Sequence, residues 1–227
     1  MIPWIHSLHE FPPVDSARAE PNGLLCTGAD LLPETLVAAY SRGIFPWFSD
    51  GQPILWWSPD PRMVLFPGEF KVSKSLAKKV SRGVFEIRFD SAFAEVVSAC
   101  SEPRREDGGT WIVAEMQTAY AQLHALGVAH SIESWRDGKL VGGLYGLALG
   151  RMFFGESMFA RETDASKVAL VALVEKLKRD GFELIDCQQE TRHLASFGAR
   201  PIARSDFVHR LQELIDLKQS GSAWRTT

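Results

Sequence analysis

The most constraining feature of the sequence is a strand–helix–strand pattern between residues 151 and 188. Asp164 is placed to cap a helix over 165–180, and Gly181 is placed to end it. Predicted strands flank this helix at 151–158 and 182–188, and a crossover of this kind makes neighbouring strands parallel. The helix itself is indicated by apolar residues at helical spacing: Val168, Val171, Val174 and Leu177.

Polar residues stand near the carboxyl ends of both predicted strands, Glu156 in the first and Asp186 with Gln188 in the second. Because ligands on such sheets bind at the carboxyl ends of strands, we expect these side chains to converge. Asp186 and Gln188 flank Cys187 and would share one face if the strand continues through them. The alternative is a polar strand end that caps a neighbouring loop.

Glu156 lies in an apolar segment, and carboxylates are rarely buried without a partner because losing water is costly for a charge. We interpret it as binding a cation such as a substrate ammonium. The alternative is a solvent-facing residue on an edge strand. His193 is left out of the predicted catalytic set, because a packed or solvent-bonded histidine is the commoner case.

Strands and helices alternate from Val64 onward, which predicts an α+β fold with α/β layers. Asp137-Gly138 predicts a hairpin turn, because this dipeptide tolerates positive φ. The segment Gly142-Gly143-Leu144-Tyr145-Gly146 does not match GxGxxG and is interpreted as a close approach of backbones. The remaining predicted elements are helices at 73–81, 91–99 and 114–126 and strands at 84–89, 129–136 and 139–149.

The first 61 residues are rich in proline, glycine and aromatic residues. A short helix is predicted over 33–41, and two prolines restrict the backbone around Asp60. We therefore predict a small aromatic-rich N-terminal α/β domain over 1–61 and a larger domain over 62–227.

The formal net charge is −3, so contact with nucleic acid requires a local basic patch. One candidate is the segment 71–82, which is either a solvated helix face or an RNA-binding surface. It has no acidic residue and contains Lys71, Lys74, Lys78, Lys79 and Arg82.

Other classes of protein are disfavoured. The three cysteines are far apart and form no CxxC pair, and the histidines show no ligand spacing, so no disulfide, metal site or cofactor is predicted. No apolar run approaches the roughly 20 residues of a membrane helix, and the N-terminus lacks signal-peptide features. We expect a cytoplasmic protein with no membrane partner.

Motifs along nearly the whole chain, in order, resemble those of the leucyl/phenylalanyl-tRNA–protein transferase family. Each motif is moderately specific, and the ordered set is highly specific. The motifs are Arg42-Gly43-Ile44-Phe45-Pro46-Trp47-Phe48, Trp56-Trp57-Ser58-Pro59-Asp60-Pro61-Arg62, Val141-Gly142-Gly143-Leu144-Tyr145-Gly146, Gly155-Glu156-Ser157-Met158-Phe159, Ala165-Ser166-Lys167 and Asp186-Cys187-Gln188.

The resemblance implies a small N-terminal domain followed by a domain similar to GNAT acyltransferases. It also implies an activity: leucine or phenylalanine, with some tolerance for methionine, passes from aminoacyl-tRNA to a protein that begins with arginine or lysine. That protein is thereby marked for degradation.

The same resemblance assigns roles to residues. The active-site polar groups are Glu156, Asp186 and Gln188. The pocket for the amino-acid side chain comprises Leu144, Phe153, Gly155, Met158, Leu173 and Ile185. Aromatic walls near the terminal adenosine are Trp47 and Trp111, and the tRNA-backbone patch is Lys74, Lys78 and Arg82.

Three positions depart from the expected family pattern: Ala160 where serine is expected, Phe197 where leucine is expected, and Leu144 where methionine is familiar. Leu144 is expected to affect the preference among leucine, phenylalanine and methionine. None of the three changes the polar trio.

We hypothesise that Gln188 accepts a hydrogen bond from the attacking amine, that Asp186 orients the Gln188 amide, and that Glu156 holds an ammonium group. A proton relay through Gln188 and assistance by the tRNA hydroxyl stay open. One alternative function is an acyl-CoA-dependent GNAT N-acetyltransferase, although residues 155–164 lack the expected phosphate-binding turn. A noncatalytic RNA-binding adaptor is another alternative, which leaves the polar trio without a role.

Overall fold

The computed structural model describes residues 1–102, 112–215 and 224. In that part of the chain, two sheets and seven α-helices form an α+β fold, which confirms the predicted class. The smaller sheet consists of β1 (Trp4–Ile5), β2 (Leu24–Gly28), β3 (Phe45–Pro46) and β4 (Leu55–Trp57), in the order β1-β2-β4-β3.

The larger sheet has seven strands and is antiparallel except between two neighbours. Its strands are β5 (Arg62–Leu65), β6 (Glu86–Phe89), β7 (Ala129–Arg136), β8 (Lys139–Leu149), β9 (Met152–Ala160), β10 (Leu184–Gln188) and β11 (Arg200–Ile202), in the order β11-β5-β10-β9-β8-β7-β6. The helices are α1 (Pro33–Tyr40), α2 (Lys74–Ser81), α3 (Phe93–Ser101), α4 (Ala114–Ala125), α5 (Ala165–Arg179), α6 (Arg192–Ala195) and α7 (Arg204–Leu214).

The predicted crossover is present, because β9 and β10 are parallel neighbours connected by α5. Leu184 pairs with Met152 and Asp186 with Phe154, so the two strands end at the same edge. The apolar positions of α5 pack against the larger sheet and are buried, among them Val168, Val174 and Leu177.

Asp164 does not cap α5 as predicted. Its φ of 71° lies in the left-handed region, and its side chain accepts no bond from the backbone N–H groups of the first turn of the helix. The carboxylate instead accepts hydrogen bonds from Lys79 at 2.6 Å and Lys167 at 2.8 Å. These two charge-assisted bonds take the place of the predicted bond to a backbone N–H. Gly181 follows the helix with φ of 80°, as predicted.

The glycine-rich part of β8 confirms the predicted close approach of backbones. A Cβ at Gly142 would lie 2.5 Å from the Cβ of Ala165 in α5, and one at Gly146 would lie 2.1 Å from the carbonyl oxygen of Phe154 in β9. Side chains at these positions would separate the helix and strands, so glycine is required for this packing.

The chain passes from the smaller to the larger sheet between Trp57 and Arg62, where the domain boundary was predicted. The hydrophobic core continues across this point. Trp56 of the smaller sheet and Phe154 of the larger belong to one buried cluster, and the rings of Tyr40 and Phe154 meet edge to face at 5.3 Å. The division into two domains stays a prediction.

Candidate active site

A cavity of about 510 Å³ lies at the carboxyl ends of β9 and β10. Its apolar lining comes from β3, β5, β8, β9, β10 and α5. The three predicted polar groups, Glu156, Asp186 and Gln188, also lie along it. The apolar side chains include Phe45, Leu65, Leu144, Phe153, Met158, Leu170, Leu173 and Ile185.

Every predicted pocket residue in the described part of the chain lines this cavity: Trp47, Leu144, Phe153, Gly155, Met158, Leu173 and Ile185. Trp111 lies outside the described residues. The polar trio and the apolar pocket, predicted separately, therefore meet in one place. The part that each residue plays in binding stays a prediction.

Glu156 is the centre of the polar network. Its Oε1 accepts hydrogen bonds from the Tyr40 hydroxyl at 2.7 Å and from Nε2 of Gln188 at 2.9 Å, and its Oε2 accepts from the Tyr120 hydroxyl at 2.7 Å. The two tyrosine hydroxyls are themselves 2.7 Å apart. Tyr40 comes from α1 and Tyr120 from α4, so three distant parts of the chain enclose this carboxyl group.

The geometry of this network favours a protonated Glu156. Three short oxygen–oxygen contacts join Tyr40, Tyr120 and Glu156, and each hydrogen bond requires one proton. The two hydroxyls supply two, because burial raises the pKa of both tyrosines well above the ordinary value. Burial, and to a lesser extent the charge of Asp186, also raises the pKa of Glu156 from 4.5 to about 7, against the opposing effect of its hydrogen bonds. The protonated carboxyl group can supply the third by donating from Oε2 to Tyr120, and Tyr120 then donates to Tyr40 instead of to Glu156.

This raised pKa predicts a pH-dependent stability that Glu156→Gln removes. The native state binds a proton that the unfolded state lacks between pH 4.5 and about 7, so the free energy of unfolding should fall as pH rises through that window. Urea unfolding of both proteins at several pH values measures the difference. The difference in unfolding free energy, wild type minus variant, should decrease with pH. A difference that stays constant would contradict the assignment.

Asp186 is buried and paired with a residue that the sequence did not single out. Arg62 of β5 donates from Nε to Oδ1 at 2.8 Å and from Nη2 to Oδ2 at 2.7 Å. Both side chains are almost inaccessible, with 1% of Arg62 and 0% of Asp186 exposed. A bidentate pair of this kind is among the strong hydrogen-bonded contacts in proteins.

The contacts of Gln188 differ from the predicted ones. Its side-chain amide donates to Glu156, whereas Asp186 Oδ1 accepts from the Gln188 backbone N–H at 2.9 Å. The strand is irregular between Asp186 and Gln188, where φ of Gln188 is 60°, so the two side chains do not follow simple alternation. The prediction that Asp186 orients the side-chain amide is therefore wrong, and Glu156 contacts that amide instead.

Sequence reasoning missed Tyr40, Tyr120 and Arg62. The tyrosines stand on predicted helices in ordinary apolar surroundings, and nothing local marks them as partners of a carboxyl group. Arg62 carried a weak signal, since it ends the motif Trp56-Trp57-Ser58-Pro59-Asp60-Pro61-Arg62. His193, left out of the predicted catalytic set, lies along the cavity, and burial lowers its pKa.

The basic segment forms the amphipathic helix α2, with Leu76 buried. Lys74, Lys78 and Arg82 are exposed and spaced by four residues, which places them along one face. Lys79 instead binds Asp164 and the carbonyl oxygen of Thr163. Because Lys79 is engaged in this way, the exposed basic face of α2 has fewer lysines available to a ligand than the sequence alone indicated.

In residues 1–102, 112–215 and 224, no group of three or more His, Cys, Asp or Glu side chains is arranged to hold a metal ion. No helix within these ranges is long and apolar enough to span a bilayer.

The fold and the site define an α+β protein in which a cavity with a largely apolar lining adjoins an acid–amide network. Residues 64–212 match the leucyl/phenylalanyl-tRNA protein transferase family, and residues 29–60 match the N-terminal domain of the same family. The chain belongs to the leucyl/phenylalanyl-tRNA–protein transferase family and is an aminoacyltransferase.

Relatives with this name match over almost their full length. The protein of Nitrosospira multiformis is 59% identical over 224 residues, covering 99% of this chain and 97% of the relative. That of Thiobacillus denitrificans is 61% identical over 214 residues, covering 94% of each.

Two solved structures show a distant likeness. L-PGS from Bacillus licheniformis has a TM-score of 0.40 at 9% identity and covers 80% of this chain and 70% of its own. A ribosomal-protein-alanine N-acetyltransferase from Brucella melitensis biovar Abortus 2308 has a TM-score of 0.34 at 14% identity and covers 63% of this chain and 96% of its own.

Proposed function

We propose that this protein transfers leucine or phenylalanine, and methionine less readily, from aminoacyl-tRNA to the N-terminal arginine or lysine of acceptor proteins, marking them for degradation in the cytoplasm. The donor side chain occupies the cavity of about 510 Å³. The aminoacyl ester lies at its rim, beside Gln188.

The observation that carries this proposal is the bond from Gln188 Nε2 to Glu156 Oε1 at 2.9 Å. It fixes which way the amide is turned and leaves the carbonyl oxygen for another donor. Among the described residues, that oxygen accepts no hydrogen bond. An amine bound at the rim of the cavity can therefore donate to it.

The reaction does not require a strong general base. The ester is already activated, and an α-amine with a pKa of about 7.7 to 8.0 is partly unprotonated near neutral pH. Removing its proton costs about 1.4 kcal/mol, whereas alignment of the amine with the ester carbonyl is worth about 7 to 11 kcal/mol. Alignment of the amine therefore dominates the rate enhancement, and Gln188 contributes part of that alignment.

In this proposal Glu156 orients Gln188, with Tyr40 and Tyr120 holding Glu156 in turn. Because both Glu156 oxygens are already held by Tyr40, Tyr120 and Gln188, the proposal gives Glu156 this orienting role in place of the predicted binding of an ammonium. As the new C–N bond forms, the acyl C–O bond of the ester breaks and the ribose oxygen of the tRNA leaves as a hydroxyl group. The proton that it takes up replaces the one lost by the amine, and it passes through solvent or the neighbouring tRNA hydroxyl.

Trp47 is the proposed platform for the terminal adenosine. It is 38% exposed and lines the cavity, and its ring packs against Trp57 at 5.4 Å. The indole of Trp57 donates to the Trp47 carbonyl oxygen at 2.7 Å, which holds the platform in place. Stacking of a base on such a ring is worth about 1 to 3 kcal/mol.

The direct test is to incubate the protein with radiolabelled phenylalanyl-tRNA and a peptide that begins with arginine. We expect label to pass to the peptide. A parallel incubation with labelled acetyl-CoA tests the acetyltransferase alternative, and label from acetyl-CoA alone would replace the proposal. If the protein binds tRNA but transfers label from neither phenylalanyl-tRNA nor acetyl-CoA, the result would favour the RNA-binding adaptor.

The exposed basic face of α2 predicts a salt-dependent contact with the tRNA backbone. Lys74→Glu/Lys78→Glu should weaken tRNA binding and reduce the slope of log affinity against log salt concentration by about one for each lost phosphate contact. Filter binding across a range of salt concentrations measures this slope. Lys139→Glu, at an exposed lysine on the β7–β8 turn, is the control and should keep the wild-type slope. Equal slopes for all three proteins would contradict the assignment of Lys74 and Lys78.

A further inference from the structure

Asp186 has no free surface through which a substrate could reach it. Its Oδ1 accepts from Arg62 Nε and from the Gln188 backbone N–H, and its Oδ2 accepts from Arg62 Nη2. The side chain is fully buried, and its partner is a guanidinium that binds it through two nitrogen atoms. The arrangement suits a fixed structural role better than direct contact with a substrate.

Arg62 is itself fixed from several directions. Its Nη1 donates to the carbonyl oxygen of Gly43 at 3.1 Å. Its guanidinium lies 4.8 Å from the ring centre of Phe45 and 4.6 Å from that of Phe207. These contacts come from the smaller sheet and from α7, so Arg62 ties both to the end of β10.

The backbone of Gln188 adopts a conformation that side-chain-bearing residues rarely take. Its φ of 60° lies in the left-handed region, which is unfavourable for a non-glycine residue unless surrounding contacts compensate. The contact that meets its N–H is Asp186 Oδ1 at 2.9 Å. The resulting irregularity in β10 coincides with the turn of the Gln188 side chain towards Glu156.

We propose that Arg62 is a positioning residue, and that the Arg62–Asp186 pair acts as a backbone clamp that holds Gln188 in its left-handed conformation. The negative charge of Asp186 serves to bind Arg62 and the Gln188 N–H, and it carries no proton or charge to the reaction centre. This inference rests on the proposed function only in naming Gln188 as the group that aligns the amine.

Two double variants separate the clamp from a charge-transfer role. Arg62→Met/Asp186→Asn removes both charges but keeps a carbonyl oxygen that can accept from the Gln188 N–H. Arg62→Met/Asp186→Ala removes that acceptor as well. Methionine suits the space between the two phenylalanine rings, and replacing a buried ion pair by uncharged groups of similar volume is often neutral for stability.

We expect Arg62→Met/Asp186→Asn to keep kcat/KM within about tenfold of wild type, with the same pH profile. The Arg62→Met/Asp186→Ala variant should lose about 100-fold, mostly in kcat, because misplacement of about 1 Å has an effect of that size. Equal, large losses in both variants, with melting temperatures near wild type, would overturn the clamp and favour a role for the charge of Asp186.

A measurement that needs no activity keeps this inference separate from the proposed function. The Gln188 amide proton should exchange slowly with solvent in wild type. It should exchange less than tenfold faster in Arg62→Met/Asp186→Asn, where the fork is lost but an acceptor remains, and at least tenfold faster in Arg62→Met/Asp186→Ala. Should the methionine variants not fold, Arg62→Lys keeps the charge but loses the bidentate fork and should also speed this exchange. Unchanged exchange in every folded variant would overturn the clamp, whereas a wild-type protein that transfers no amino acid would overturn only the proposed function.

Discussion

Gln188→Ala is expected to lower kcat/KM for transfer from phenylalanyl-tRNA about 10²- to 10³-fold. Alanine removes the carbonyl oxygen that accepts from the attacking amine, and it also removes one of the donors to Glu156. The loss should appear in kcat rather than in KM, because the apolar side chains that line the cavity are untouched. Single-turnover transfer to a peptide beginning with arginine measures it.

Gln212→Ala provides the matched control, since Gln212 is an exposed glutamine on α7 outside the cavity lining. It should behave as wild type. Retention of wild-type kcat by Gln188→Ala would remove Gln188 from the mechanism and with it the alignment argument.

Gly155→Leu is expected to lower kcat/KM for phenylalanyl- and leucyl-tRNA about 10- to 200-fold, mainly through weaker donor binding. Gly155 lines the cavity, and a Cβ added there would meet only the backbone oxygen of Asp186, at the ordinary contact distance of 3.5 Å. A leucine side chain at this position would extend into space that the donor side chain is proposed to fill. Binding of a phenylalanyl-adenosine analogue, measured by calorimetry, tests the reason directly.

Gly155→Ala is the control that distinguishes two causes of weaker donor binding, namely filling of the cavity and damage to the strand. It introduces the same change of backbone freedom but only one methyl group, so its donor binding should stay close to that of wild type. Equal weakening in the alanine and leucine variants would point to the strand rather than to the cavity.

Local patterns in the sequence were sufficient for most of the elements that carry the site, although the short strands β3 and β5 were not predicted. The predicted bounds of 129–136 and 139–149 agree with β7 and β8, and α5 begins at Ala165 as predicted. Strand alternation and helical periodicity depend on neighbours within a few residues, so they can be recognised along one chain. The parallel pairing of β9 and β10 followed from the same information, because a crossover limits the arrangements available.

The details at the ends of those elements were less predictable. Asp164 has the chemistry of a helix cap but binds two lysines, one of them 85 residues away in the sequence. Gln188 was placed on a regular strand but takes a left-handed φ at a strand irregularity. In each case a contact from another element replaced the local preference.

The sequence by itself determined the α+β class, the convergence of an acid with an acid–amide pair, and the apolar residues around them. Only the tertiary structure decided which groups those polar side chains bind. Glu156 accepts a hydrogen bond from Tyr40, 116 positions away in the sequence, and Asp186 accepts from Arg62, 124 positions away. No local period encodes such pairs, because a buried charge or carboxyl group takes its partner from whichever element the packed core brings beside it.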